Sequence, residues 1–293
     1  MKQLLILSGK GGTGKTTLAS AFIKLSDTRA MADCDVDAPN LHLVMSQTSV
    51  PQRSDYYGMK TAVIDAHNCI KCGLCEDHCQ FNAIKDFVAD PYSCEGCGVC
   101  EAICPMEAVS LKDSIAGELL LYKNDHVFST GTLKMGSGTS GKLVTEVKNQ
   151  LFSVSVNSEL VIIDGSPGIG CPVIASISGV DMVLIVTEPS ISGMSDLKRI
   201  LQTVASFQVP AAVCVNKHDT NPENTARIIS YCQEAGISFV GCIPFDPLAV
   251  EAINNGYTIA DIECPSGSAA PAVFARTIKK LKSDGLPSSD TFE

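Results

Sequence analysis

No apolar run in these 293 residues approaches the length of a membrane span. The opening Met1-Lys2-Gln3 leads straight into Leu4-Leu5-Ile6-Leu7, too short a stretch for an export signal, so no leader is expected. Basic residues are also scarce, with 22 Lys and Arg against 32 Asp and Glu and a net charge of −10. Phosphate contacts need clustered Lys and Arg, so this balance argues against a nucleic-acid partner. Charged residues make up only 18% of the chain and hydrophobic ones 45%, at a mean hydropathy of +0.18. That is enough apolar material for a sizeable core, and it excludes a mainly disordered chain. The length leaves room for two domains or one large α/β domain. Cysteine is plentiful, with 14 residues. Without an export signal, they point to metal ligation rather than a disulfide scaffold.

Short apolar runs recur along the chain and read as buried parallel strands: Leu4–Ser8, Met31-Ala32, Leu160–Ile163, Met182–Val186, Ala211–Val215 and the weaker Ser238–Val240. Helical stretches separate them, among them Lys15–Leu25, Ser195–Phe207 and Asn224–Ala235. This alternation predicts an α/β fold, a doubly wound parallel sheet with helices on both faces. It breaks between about Asp65 and Leu111, where cysteines cluster as a tandem repeat. The flanks, Gln47–Met59 and Ser114–Ser140, are rich in Ser, Gly, Thr and Lys. Residues 61–113 are therefore expected to be a small insert, with the α/β domain formed by 1–60 and 114–293 and resuming near Ser140. The polar tail from Ser283 is expected to be mobile.

Gly9-Lys10-Gly11-Gly12-Thr13-Gly14-Lys15-Thr16 fits G-x-x-x-x-G-K-[ST], after a strand and before a helix. Glycines let the backbone curl so that successive N–H groups face a phosphate, and the helix N-terminus adds positive potential. Lys15 then meets the β- and γ-phosphates, and the Thr16 hydroxyl ligates Mg²⁺. Asp164, at the end of Leu160–Ile163, has the form of the carboxylate that holds Mg²⁺ through water. Asp33, Asp35 and Asp37 fall at another strand end, where the ligand crevice of an open sheet lies. They suit orienting a water or holding Mg²⁺ through water, with Asp33 and Asp37 either supporting or merely solvated. Gly136-Ser137-Gly138-Thr139-Ser140-Gly141-Lys142 also fits G-x-x-x-x-G-K, but Leu143 follows where the hydroxyl belongs. With no clear buried strand before it, this stretch reads as a flexible loop entering a helix.

Cys69-x₂-Cys72-x₂-Cys75-x₃-Cys79 and Cys94-x₂-Cys97-x₂-Cys100-x₃-Cys104-Pro105 are two copies of the bacterial ferredoxin run. The fourth cysteine of each run serves the other cluster, so Cys69, Cys72, Cys75 and Cys104 form one ligand set and Cys94, Cys97, Cys100 and Cys79 the other. Two [4Fe–4S] clusters are expected; zinc usually takes four ligands in two pairs and fits this spacing poorly. Gly73, Gly96 and Gly98 permit close backbone approach, while Gln80 departs from the proline of the first run. Of the six remaining cysteines, Cys34, Cys214, Cys232, Cys242 and Cys264 read as small core residues. The five histidines form no ligand spacing.

Gly9–Thr17, with its additional Lys10, is similar to the deviant phosphate loop of the MinD/ParA/Mrp superfamily. The resemblance extends through Asp164-Gly165 to Cys171-Pro172, Thr187-Glu188-Pro189 and Asn216-Lys217, and so over most of the chain. It implies an Mg-dependent ATPase, slow and coupled to a partner, in which Lys10 reaches the partner's nucleotide across a dimer and Asp35 positions the attacking water. Gly165–Gly170 then corresponds to a switch that senses the γ-phosphate, with Ser166 where the family text usually has proline. Asn216-Lys217-x-Asp219 resembles the segment that reads the base; Asn-Lys-x-Asp alone also suits guanine, and the superfamily match favours adenine. Cys171 is placed like the cysteine by which the nitrogenase iron protein helps hold a cluster between subunits. The expected cofactors are ATP, Mg²⁺ and two [4Fe–4S] clusters. The expected partners are a second ATPase chain, as homodimer or heterodimer, and an electron-transfer or metallocluster protein in a reducing cytoplasm. Two functions fit: an ATPase that gates electron transfer or cluster handling, or a nucleotide-switched scaffold whose clusters sense redox state. The second would need a DNA surface, which the charge opposes, or a membrane-binding helix from Val273, Phe274, Ile278 and Leu281, more simply read as core packing.

Overall fold

The computed structural model describes residues 1–45, 49–154 and 158–283; the tail beyond Ser283 and part of the Gln47–Met59 flank lie outside the described residues. Along the chain run β1 (Lys2–Ser8), α1 (Lys15–Ser26), β2 (Ala30–Asp33), β3 (Gln52–Tyr57), β4 (Thr61–Ile64), α2 (Leu74–Asp77), β5 (Ile84–Lys85), β6 (Val88–Ala89), α3 (Val99–Ala102) and β7 (Val109–Lys112). There follow β8 (Ile115–Lys123), β9 (Val127–Leu133), α4 (Ser140–Phe152), β10 (Leu160–Pro167), α5 (Cys171–Ile177), β11 (Met182–Thr187), α6 (Ile191–Ser206), β12 (Ala211–Asn216), α7 (Pro222–Glu234), β13 (Ser238–Ile243), α8 (Pro247–Asn254) and α9 (Pro265–Ser283).

Nine strands form one sheet in the order β13-β12-β11-β1-β10-β2-β9-β8-β3. The first seven are parallel, as the apolar runs predict, while β8 pairs antiparallel with both β9 and β3. Strands buried on both faces read as continuous apolar runs, and Met182–Thr187 is buried throughout. Alternation still assigns each side chain to a face. Leu5 and Leu7 pack with α4, α5, α6 and α7, and Leu4 and Ile6 with α1 and α9. Phe22 of α1 meets Phe274 of α9 edge to face, with centroids 5.0 Å apart. The pair contributes about 1 kcal/mol beyond its buried area. Val273 and Leu281 of α9 are buried in this core, and among the described residues no helix is long and apolar enough to cross a membrane.

Two expectations about the flanks are corrected. The main sheet resumes at Ile115 rather than near Ser140, because the Ser- and Gly-rich flanks form β3, β8 and β9. A buried strand, β9, does precede Gly136–Lys142. That loop is also tied down: Lys142 Nζ donates to the carbonyls of Tyr57 at 2.9 Å and Gly58 at 3.1 Å, and Tyr56 Oη donates to the Thr139 carbonyl at 3.1 Å.

Residues 61–112 form a separate small unit, with β4 antiparallel to β7 and β5 antiparallel to β6, around Ala62, Cys75, Ile84 and Val109. Its two halves repeat at an interval of 25 residues. Gly73 and Gly98, at φ of 84° and 80°, start the short helices α2 and α3. Asp65 Oδ1 accepts the His67 N–H, and Asp90 Oδ1 accepts the Tyr92 N–H. The tandem cysteine pattern is thus matched by a tandem backbone.

Candidate functional site

The carboxyl ends of β1, β2, β10, β11 and β12 lie along one edge of the sheet, where an open α/β fold forms its ligand crevice. The loop after β1 curls there. Gly12 has φ of 77°, and a Cβ at Gly11 or Gly12 would meet nothing within 4 Å, so their backbone faces open space. Helix α1 begins at Gly14 with no side-chain cap, which leaves its N-terminal N–H groups for an anion. Gly14 has φ of 89°, and a Cβ there would stand 2.2 Å from Asn216 Nδ2.

Lys15 Nζ lies 2.5 Å from Asp164 Oδ1 and 3.9 Å from Asp35 Oδ2. Thr16 Oγ1 donates to Asp164 Oδ2 at 2.6 Å. Sheet register places Asp164 between Ile6 and Asp33. The expected phosphate lysine, hydroxyl and carboxylate are therefore assembled in one place. Burial would push Lys15 down, but Asp164, with Asp33 and Asp35, outweighs it and holds the ammonium above its ordinary range. Burial pushes Asp35 up to about 6, with Lys15 opposing and Asp164 and Asp37 adding to it.

Of the two readings of Asp33, supporting or solvated, the structure bears out the first. Asp33 is fully buried and accepts the N–H groups of Asp35, Asn40 and Leu41 at 3.0, 3.0 and 2.9 Å. It shapes the segment that carries Asp35. Burial, reinforced by the Asp164 charge, pushes Asp33 up to about 7. Asp37 is exposed.

Lys10 ion-pairs with Glu188 of its own chain and donates to Ser192 Oγ at 3.2 Å. Lys217 Nζ stands 3.8 Å from the other Glu188 oxygen and donates to the Gly12 carbonyl at 2.8 Å. Burial would raise Glu188, but Lys10 and Lys217 hold it below the usual carboxylate range. Asn216, expected to read a base, donates to the Thr13 carbonyl at 2.7 Å and accepts the Lys217 N–H at 3.0 Å, so its amide braces the loop. It also lines an adjoining cleft walled by Gly12, Thr17, Pro244, Phe245 and Ile253. Asp219 accepts the Phe245 N–H at 2.7 Å and fixes that wall. The sequence reading missed the roles of Glu188, Ser192 and Phe245. Only the position of Pro244-Phe245 just past a strand end pointed to the crevice.

The eight run cysteines ring two cavities in the small unit. Cys69, Cys72, Cys75 and Cys104 line one, and Cys79, Cys94, Cys97 and Cys100 line the other. The cysteines thus fall into the same two groups of four that the spacing leads one to expect, each with its fourth member from the opposite run. The Ala62, Ala83 and Ala108 N–H groups donate to the sulfurs of Cys94, Cys79 and Cys104 at 3.4, 3.3 and 3.3 Å. N–H donors from Met106 onward hold the Cys104 thiol below its ordinary range. Among the described residues no three His, Cys, Asp or Glu side chains close on a single ion. Of the other cysteines, Cys34, Cys214, Cys232 and Cys264 are buried, Cys242 is half-buried and Cys171 is exposed.

Known proteins place this geometry. Residues 4–259 match the profile of the CobQ/CobB/MinD/ParA nucleotide binding domain. An uncharacterized protein of Methanocaldococcus jannaschii is 36% identical, with 96% of each chain covered. An iron-sulfur cluster carrier protein of Pyrococcus horikoshii is 23% identical over 96% of this chain and 86% of its own. The septum site-determining protein MinD of Pyrococcus horikoshii, complexed with Mg-ADP, superposes with a TM-score of 0.57 at 17% identity, covering 98% of this chain and 99% of that one. With the family profile covering most of its length, the chain belongs to the CobQ/CobB/MinD/ParA family of nucleotide-binding proteins.

Proposed function

We propose that this protein is an Mg-dependent ATPase that carries two [4Fe–4S] clusters and uses its nucleotide state to gate electron transfer to a partner protein. Lys15 and the loop from Gly9 to Thr17 hold the triphosphate, Thr16 and Asp164 hold Mg²⁺, and Asp35 orients water. Lys10 completes a neighbouring chain's site in a dimer once Glu188 releases it. The clusters, where bound, would supply one-electron chemistry; the chain's part is to hold them through the two cysteine sets, whose Cys94, Cys79 and Cys104 sulfurs accept backbone N–H groups.

The observation that carries the reading is a joint between the nucleotide side and the cysteine unit. The Leu133 N–H donates to the Val36 carbonyl at 2.9 Å, beside Asp35. A Cβ at Gly141 would stand 3.1 Å from the Cys171 carbonyl, directly after the Gly165–Gly170 segment. Between these two contacts, a Cβ at Gly136 would lie 3.2 Å from the Tyr92 ring, and Lys142 grips the carbonyls of Tyr57 and Gly58 just ahead of β4. The second phosphate-loop-like stretch is thus the joint itself. Movement of either nucleotide-facing segment displaces the base of the cysteine unit.

A second reading, carriage of a cluster for a partner, is favoured by the exposure of Cys171 and by the iron-sulfur cluster carrier proteins to which the chain is similar. Anaerobic iron and ATPase assays on the native protein, Lys15→Ala and Asp35→Ala test the proposal. About eight irons per chain in all three proteins, with hydrolysis only in the native one, supports it. Iron-free protein or unchanged hydrolysis in both variants overturns it.

A further inference from the structure

Strands β4 and β7 leave the ATPase sheet side by side, with Thr61 opposite Lys112 at the near end and Ile64 opposite Val109 at the far end. The cavity of Cys79, Cys94, Cys97 and Cys100 is lined by Ala62 and Leu111, and that of Cys69, Cys72, Cys75 and Cys104 by Ile64 and Val109. Two residues of strand put the second cavity about 7 Å farther from the joint. The first is pinned to the joint, because a Cβ at Gly96 would lie 2.3 Å from the Lys60 carbonyl. The small unit therefore has an inner and an outer site.

The two sites differ in surface and charge. Ile70, Leu74 and Met106 line the outer cavity and are 60%, 38% and 46% exposed. Exposed Asp65, Glu76, Asp77, Asp86 and Glu107 stand on the segments around it, against the cations Lys71 and Lys85, a net −3. Residues 61–113 hold nine Asp and Glu against three Lys, a net −6 of the whole chain's −10, before thiolates are counted. The inner cavity also reaches the surface, at Phe81 and Val99, and its segments carry exposed Glu95, Glu101 and Asp113 beside Lys60 and Lys112, a net −1 against −3 around the outer cavity.

From this asymmetry we infer that the outer site is the port of the module, the place where a one-electron redox protein with a lysine- and arginine-rich face docks. The inference rests on the cluster reading above and deepens it by naming the docking face and the partner's chemistry. An apolar centre with an acidic rim suits a small, electrostatically steered encounter, and at the inner site Lys60 and Lys112 offset most of the carboxylate charge and so weaken the same attraction. One electron passes between the outer site and the partner's one-electron centre. One centre is oxidised as the other is reduced, and no bond or proton changes hands.

The probe is a c-type cytochrome with a lysine-rich face, titrated calorimetrically under anaerobic conditions into the full-length protein at two salt concentrations. Glu76→Lys with Glu107→Lys should weaken binding about tenfold and flatten its salt dependence, while Glu76→Gln with Glu107→Gln should do so a few-fold. The inner control pair, Glu95→Lys with Asp113→Lys, should stay within about twofold. Equal losses in the outer and inner pairs, or a loss in the inner pair alone or in neither, overturn the port. Iron content and ATPase measured on the same samples separate the two failures. With about eight irons and active hydrolysis, the port falls alone; with iron-free protein, the functional reading falls and the port with it.

Discussion

Lys15 and Asp164 meet at 2.5 Å, Nζ to Oδ1, where the phosphate loop touches the end of β10. Both are buried, and this one ammonium also faces Asp33 and Asp35. Lys15→Ala leaves Asp164 as an uncompensated buried charge, which costs about 3 kcal/mol in addition to abolishing nucleotide binding. Lys15→Met combined with Asp164→Leu restores much of that stability and still binds no nucleotide. Urea unfolding beside fluorescent-nucleotide titration separates the two effects.

Asp33 sets a pH dependence. Its acidity is weakened on folding, to about 7, mainly by burial. The folded state therefore binds the proton more tightly than the unfolded state does. The stabilisation is complete below the unfolded carboxyl range near pH 4 and is lost as pH rises through about 7. Nucleotide-free protein should lose stability from pH 5 to 7, with a slope of up to about 1.4 kcal/mol per pH unit from this group. Asp33→Asn removes that slope, as urea midpoints across the range will report.

The Lys10–Glu188 pair is partly exposed, so it adds little to stability. Its consequence is for assembly, because it occupies the lysine expected to reach a second chain. Glu188→Gln should leave the thermal midpoint within about 2 °C and raise the ATP-dependent dimer fraction several-fold. Lys10→Ala should abolish both dimer and hydrolysis. Light scattering with and without ATP checks both.

The crossed cysteine sets predict matching spectra. Cys104→Ser should resemble Cys72→Ser in electron paramagnetic resonance, and Cys79→Ser should resemble Cys97→Ser, each losing about four irons. Cys79→Ser resembling Cys72→Ser would contradict the crossing.

Much of this protein was legible in the sequence because its chemistry is local. Gly9–Thr17 and the two cysteine runs are contiguous, and the buried parallel strands announce themselves as apolar runs. Strand β3 is the sheet's edge, where Gln52, Arg53, Ser54 and Asp55 are exposed, so no apolar run marked it, and the run Leu119–Leu121 of its neighbour β8 is short and sits in a Ser- and Gly-rich flank. Glu188 is distant from Lys10 in sequence, and no local pattern links the two. The Gly136–Lys142 stretch was misleading because its glycines serve close packing, against Tyr92 and the Cys171 carbonyl, rather than a phosphate. Asn216 kept its place beside the cleft, but its amide is spent on Thr13 and Lys217.

The central claim is that nucleotide state is felt at the cysteine sites. Potentiometric titration of the reduced, anaerobic protein, followed by electron paramagnetic resonance with and without MgATP, tests it most directly. A shift in midpoint potential on adding MgATP, absent in Lys15→Ala, is the predicted result. Two cluster signals whose potentials ignore MgATP in the native protein would contradict it.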